Sequence, residues 1–349
     1  MSVRNSQHPH HSIASTLGTG AMHRFFLTLL IFAGIAVLAP AQIIRYTVNR
    51  PVTMPISAPP ADDWSDYVPQ NTTPLYWETD YTYAMATAKS ASRSLLIYLC
   101  ADDETEIPEA LAALPVVSAC QKFDTVILDD CFVRSELCRY VLLKLPMDAK
   151  VTDQEGMEMS IYSLPGFEHM LGHPGLVVID FERRDSRDKP YYGGVVGILP
   201  FMRGMCPTAT QTETFLGLPP GTLTQRTLTY AVRIHPDQPL SSDGEPIPAV
   251  VRVATEHALY QAERGVLGHQ NFGARSARVK EVLGGGMPAE ICAQSQSGIG
   301  LFDGAIGCMR AWRYSSAHWS IAKRSHRYYG YDMVRGKNGA WYAVGFFIN

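Results

Sequence analysis

Apolar and small residues recur at Val251, Ala254, Ala258, Ala262 and Val266, one face of a helix at intervals of three and four. Pro248 precedes that run and suits a helix start, while Gly265 and Gly268 close it, with His269 immediately beyond. A second periodic run passes through Phe302, Ala305, Ile306, Met309 and Trp312 and ends near Ser315-Ser316-Ala317, followed by His318. Tyr328 to Val334 and Trp341 to Phe347 are aromatic and β-branched, and Asn338-Gly339 between them signals a hairpin. Gly284-Gly285-Gly286 and Pro288 break the chain just before Glu290. Residues 249–349 therefore read as two helices followed by a hairpin, with a histidine just past each helix end.

Upstream the pattern changes. Ala84, Ala88 and Ala91 predict a helix, Leu95 to Leu99 a strand, Glu104 to Leu114 a helix, Thr125 to Leu128 a strand and Ser135 to Leu145 a helix. Leu176 to Ile179 and Val195 to Leu199 add two strands. This is an α/β order over 75–202, and it resembles the thioredoxin-like fold, with Pro174 at the place where that fold keeps a cis proline. The dithiol of that family is missing: the chain reads Cys100-Ala101-Asp102-Asp103 after the strand, so no neighbouring thiol can resolve a mixed disulfide. A redox-silent domain is expected. Residues 203–248 read as a linker or irregular zone, with one strand at Thr227 to Ile234.

The N-terminus adds a destination. His23-Arg24, the apolar run Phe25 to Leu38 and Ala39-Pro40-Ala41 describe a secretory signal peptide over 1–41, with Met22 a candidate true start. The run is shorter than the ~20 residues of a membrane span. The alternative is a membrane anchor formed by residues 25–41, left uncleaved. Prolines 51, 55, 59, 60, 69 and 74 then mark a semi-extended linker over 42–74.

The chain has 349 residues, 46% hydrophobic and 18% charged, with a net charge of −3, enough for two domains and without the basic stripe a nucleic-acid binder needs. The run Lys323-Arg324-Ser325-His326-Arg327 reads as a solvated face. Seven cysteines in an exported chain permit disulfides but cannot all pair. Cys292 and Cys308, the two in the C-terminal module, are a candidate pair. No serine-nucleophile motif or phosphate loop is present.

Taken as an ordered set, these C-terminal features resemble the CAP superfamily (cysteine-rich secretory and pathogenesis-related proteins), in its short bacterial form. The alanine-rich helix leads to His269. The Gly-Glu-Asn-Ile-Ala segment of the family is matched by Ala289-Glu290-Ile291-Cys292-Ala293. The Trp-bearing helix ending in Ser-Pro-Gly-His is matched by Trp312 and Ser315-Ser316-Ala317-His318, and the closing strands by Tyr329-Gly330-Tyr331 and Trp341-Tyr342. Ile291 replaces the family asparagine, alanines replace two glycines, and the second acidic residue of larger members has no counterpart. The resemblance implies an α-β-α sandwich whose cleft, His269, Glu290 and His318, holds zinc or another divalent cation. Two imidazoles and a carboxylate suit such an ion, although separations of 21 and 28 residues form no local ligand motif. The bland reading has Glu290 capping or buttressing a helix, with the histidines hydrogen-bonded in a polar cleft. Glu256 and His257 lie earlier on the helix, where Glu256 reads as solvent-facing. The expected role is binding of an extracellular or cell-envelope ligand. The alternatives are a metal-dependent hydrolase or protease using the same cleft, and a disulfide-handling protein acting through the first domain.

Overall fold

A two-residue strand, Trp77–Glu78 (β1), leads into the helix Tyr81–Ala91 (α1) in the computed structural model, which describes residues 74–152, 156–182 and 191–349. The signal peptide expected at 1–41 and, but for Pro74, the proline-rich linker lie outside the described residues. Asp80 caps α1 by accepting from the Tyr83 amide at 2.7 Å. Ala84 and Ala88 give the helix a flat buried face. Leu95–Cys100 (β2) is an unbroken apolar run covered on both sides, as a central strand must be.

Three upstream expectations change here. The helix expected at Glu104 to Leu114 shrinks to a single 3-10 turn at Glu109–Leu111, because Pro108 has no amide proton to continue one. Val116–Lys122 (α2) runs on into a π-helical turn at Phe123–Ile127, where a strand was expected at Thr125 to Leu128. Phe123 and Ile127 are both buried and four residues apart, so the segment satisfies a helical spacing and not an alternating one. The helix expected at Ser135 to Leu145 divides into Cys131–Leu137 (α3) and the strand Val141–Pro146 (β3). A short apolar run such as Val141-Leu142-Leu143 suits either state, and its pairing with β2 decides it.

The hairpin Lys150–Thr152 (β4) and Glu158–Ser160 (β5) stands apart from the main sheet. Gly175–Ile179 (β6) and Val195–Pro200 (β7) complete that sheet, whose order is β1-β3-β2-β6-β7. The first three strands are parallel, and β6 runs antiparallel to its neighbours β2 and β7. Gly175 lies at φ 144°, and a Cβ there would fall 2.2 Å from the Leu199 carbonyl oxygen, so only glycine lets β6 approach β7. The Pro174 peptide is not cis, contrary to the sequence expectation. The described residues contain no cis bond, and trans is the ordinary ground state even before proline.

The 203–248 stretch carries two helices, Ala209–Leu216 (α4) and Leu223–Arg233 (α5), and is not the irregular linker expected. Each begins with a reciprocal capping box, Thr208 with Gln211 and Thr222 with Gln225. The strand expected at Thr227 to Ile234 is the body of α5. Its threonines satisfy their hydroxyls on carbonyls four residues back, Thr227 on Leu223 at 2.7 Å and Thr229 on Gln225 at 2.8 Å. Leu228, Ala231 and Val232 share one hydrophobic core with Ile97 and Val177 of the first sheet and with Met309 and Tyr331 further along. The described residues, from Pro74 to Asn349, group as one compact unit.

The last third is built from Pro248–Arg264 (α6), Phe272–Leu283 (α7), Pro288–Gln294 (β8), Leu301–Tyr314 (α8), Ser316–Ala322 (α9), Tyr328–Arg335 (β9) and Trp341–Ile348 (β10). An antiparallel sheet of order β8-β10-β9 forms its middle. Alternation along the strands sends Cys292, Val344 and Phe346 to one face, against α6 and α7, and Ile291, Ala343 and Phe347 to the other, with the α8 residues Ala305, Met309 and Trp312.

Candidate functional site

The histidine-bearing turn is clamped from the helix behind it. Gly265, at φ 64°, ends α6 in the left-handed conformation. His257 and Gln261 lie one helical turn apart on the buried stripe of α6. His257 Nε2–H donates to the Gly268 carbonyl at 2.8 Å, and the Gly268 amide donates to Gln261 Oε1 at 3.0 Å. His269 therefore leaves a turn whose backbone is held on both sides, and its own side chain stays open to solvent.

Beneath it lies Glu290, in β8, with its side chain 1% exposed. A buried carboxylate needs partners, and Arg275 of α7 supplies a guanidinium across both oxygens. Nε lies 3.0 Å from Oε2, and Nη2 lies 2.8 Å from Oε1 and 2.7 Å from Oε2. Arg275 Nη1 also donates to the Gln270 carbonyl, tying α7 to the same turn. His269 Nδ1–H donates to Glu290 Oε1 at 2.9 Å. Burial alone would raise the Glu290 carboxyl, but the hydrogen bonds from His269 and Arg275 outweigh it and hold the group below the usual glutamate value.

Once Nδ1 carries the proton toward Glu290, His269 Nε2 presents a lone pair to solvent. His318, in the first turn of α9, brings its Nε2 to 3.2 Å from that atom. Burial, and then the neighbouring His269, depress the pKa of His318, which favours the neutral imidazole. Tetrahedral zinc with Zn–N bonds of about 2.0–2.1 Å separates two nitrogen ligands by about 3.4 Å. The observed 3.2 Å fits that edge, and a carboxylate behind one imidazole is the usual support for a metal-bound histidine.

The structure thus brings together the three residues singled out from the sequence, but not as three equal ligands. Glu290 is saturated by Arg275 and His269 and sits behind the pair. A second group, His257, Glu290 and Cys292, has ligand atoms within 4.8 Å of one another and is geometrically able to hold a metal. Its chemistry is less favourable: burial, reinforced by Glu290, keeps the Cys292 thiol protonated, and the Arg275 cation already occupies the carboxylate. His257 is itself held neutral by burial, against the pull of Glu290.

His257, Gln261 and Arg275 were not foreseen as parts of the site. A signal existed for the first two, since polar residues at 257 and 261 interrupt an otherwise alanine-rich stripe. Arg275 lies on α7, a helix outside the two periodic runs of the C-terminal sequence. Glu256 is exposed and pairs with Arg278, as a solvent-facing position does. Trp312 and Trp319 are core residues. The candidate Cys292–Cys308 disulfide does not form: both are buried thiols, and they lie on opposite faces of the β8-β10-β9 sheet.

Neither a family model nor a curated protein sequence matches the chain. Among solved structures, an outer surface protein from Borrelia burgdorferi aligns with 30% of this chain and 77% of its own, at 21% identity and a TM-score of 0.25, a likeness too slight to carry an argument. No helix among the described residues is long and apolar enough to cross a membrane.

Proposed function

We propose that this is an exported binding protein. Its CAP-like C-terminal module, 249–349, takes a divalent cation, zinc above all, on His269 and His318, with Glu290 orienting His269 from behind. The observation that carries the reading is the pair of Nε2 atoms 3.2 Å apart, one with its opposite nitrogen held by a buried carboxylate. The ion would be held by two imidazoles, leaving coordination positions for water or a ligand's own donor atoms. Helices against both faces of the β8-β10-β9 sheet support the α-β-α part of the reading. The ligand is sought among extracellular or cell-envelope molecules.

The N-terminal part is read as a thioredoxin-like domain without redox chemistry. The order β1-β3-β2-β6-β7, with β6 running against the other four strands, supports the fold. Burial pushes the Cys100 thiol up to about 12, and no Cys-x-x-Cys accompanies it, so no thiolate nucleophile is at hand.

Zinc titration calorimetry on wild type and on a His269→Ala/His318→Ala variant tests the metal reading. Saturable binding at one site in the wild type, absent from a folded double variant, is the expected result. Binding that survives in the variant, or no binding by either protein, would overturn it.

A further inference from the structure

A second, unrelated cavity opens between the N-terminal ends of α5 and α6 and the strand β9, with a volume of about 610 Å³. That is the size of a small-molecule pocket. Its wall is largely apolar, from Pro246, Pro248, Val251 and Val334, while Met333 and Trp341, which also border it, are buried in the core.

Its charges are one-sided. The acidic residue lining it, Asp332, is buried and receives four donors: Thr224 Oγ1 at 2.7 Å and the Met333 amide at 2.8 Å on Oδ1, Thr255 Oγ1 at 2.6 Å and Gln225 Nε2 at 3.1 Å on Oδ2. No acceptor site is left on it to recruit a cation. Arg252 and Arg335 also line the cavity, both exposed and neither with an acidic partner among the described residues. Arg335 lies 6.0 Å from the Trp341 ring centroid. The 17-residue α6 starts at this cavity with Pro248, no side-chain cap and no acidic residue in its first turn, so the positive end of its dipole is uncompensated.

We infer that this cavity binds a small organic anion with an apolar body, a carboxylate or sulfonate on a flat hydrocarbon. The acid group lies toward Arg252, Arg335 and the start of α6, and the hydrocarbon lies against the half-buried Val251 and Val334. Two guanidinium groups supply hydrogen bonds to the acid group, and the apolar wall supplies burial for the remainder. The inference is independent of the metal reading.

The test is calorimetric titration of the whole chain with naphthalene-2-sulfonate and with neutral 2-naphthylmethanol. The sulfonate is expected to bind at one site, at least about tenfold more tightly than the alcohol. Arg252→Gln and Arg335→Gln are each expected to weaken the sulfonate about tenfold and to leave the alcohol unchanged. Both arginines are exposed, so unchanged thermal melting confirms that the variants fold. His269→Ala/His318→Ala should bind the sulfonate as wild type does. Equal affinity for the two probes, wild-type sulfonate affinity in both arginine variants, or no saturable binding of the sulfonate below about 5 mM would each overturn the inference.

Discussion

His269 Nδ1 lies 2.9 Å from Glu290 Oε1, and that contact decides what the other side of the imidazole presents. A buried anion fixes the proton on Nδ1, so Nε2 faces His318 as a lone pair. Arg275 in turn allows Glu290 to stay ionised in an apolar setting. The chain of dependence runs from α7 through β8 to the exposed turn.

Glu290→Gln keeps the shape and removes the charge. Arg275 is then buried without its counter-ion, and the hold on the His269 tautomer weakens. We expect zinc affinity to fall about 10–100-fold and folding stability by about 3–5 kcal/mol. Calorimetry reads the first and urea denaturation the second. A variant as stable as wild type would show that the Arg275 pair is not the support described.

The same carboxylate sets an acid limit. Its folded-state value lies below the ordinary 4.5, so its stabilising contribution is complete above that value and is lost as pH falls through the lower, folded-state one. Urea midpoints measured between about pH 2.5 and 6 should fall more steeply for wild type than for Glu290→Gln. Parallel curves would mean that Glu290 titrates alike in the folded and unfolded chain.

Cys292 and Cys308 are separated by a sheet, so no local movement joins them. Alkylation in denaturant, with and without prior reduction, should give the same peptide masses at both positions. A mass difference specific to reduction would show a bridge and a different register for β8 or α8.

Much of the frame is legible in the residues. α6, α8 and the β9–β10 hairpin announce themselves by period and by Asn338-Gly339, as do β2, β6 and β7. What the sequence hides is hidden for physical reasons. β3 and the stretch Thr125 to Leu128 are short and β-branched or apolar, and their state is chosen by the neighbour they pack on. α5 carries β-branched threonines whose hydroxyls make it a tolerable helix only once it is buried between the sheets. At the site, histidine and glutamate draw attention by chemistry, whereas Arg275 and His257 matter by reach across elements, which spacing along the chain does not encode.

Gly330 links the fold to the site. It sits in β9 beneath α6, and a Cβ there would lie 2.6 Å from both the Cα and the amide nitrogen of Val251. Backbone cannot yield as a flexible side chain can, so Gly330→Ala has to lift the helix from the sheet. The helix carries His257 and Gln261, which hold the turn bearing His269. We therefore expect a loss of about 2–4 kcal/mol in stability together with weaker zinc binding, although no ligand is altered. Gly273→Ala is the control, because nothing lies within 4 Å of a Cβ at that position. It should leave both stability and affinity near wild type. If Gly330→Ala unfolds in urea at the wild-type midpoint, α6 is not seated on β9 as described. If it is destabilised but binds zinc normally, the turn holds His269 without help from the helix.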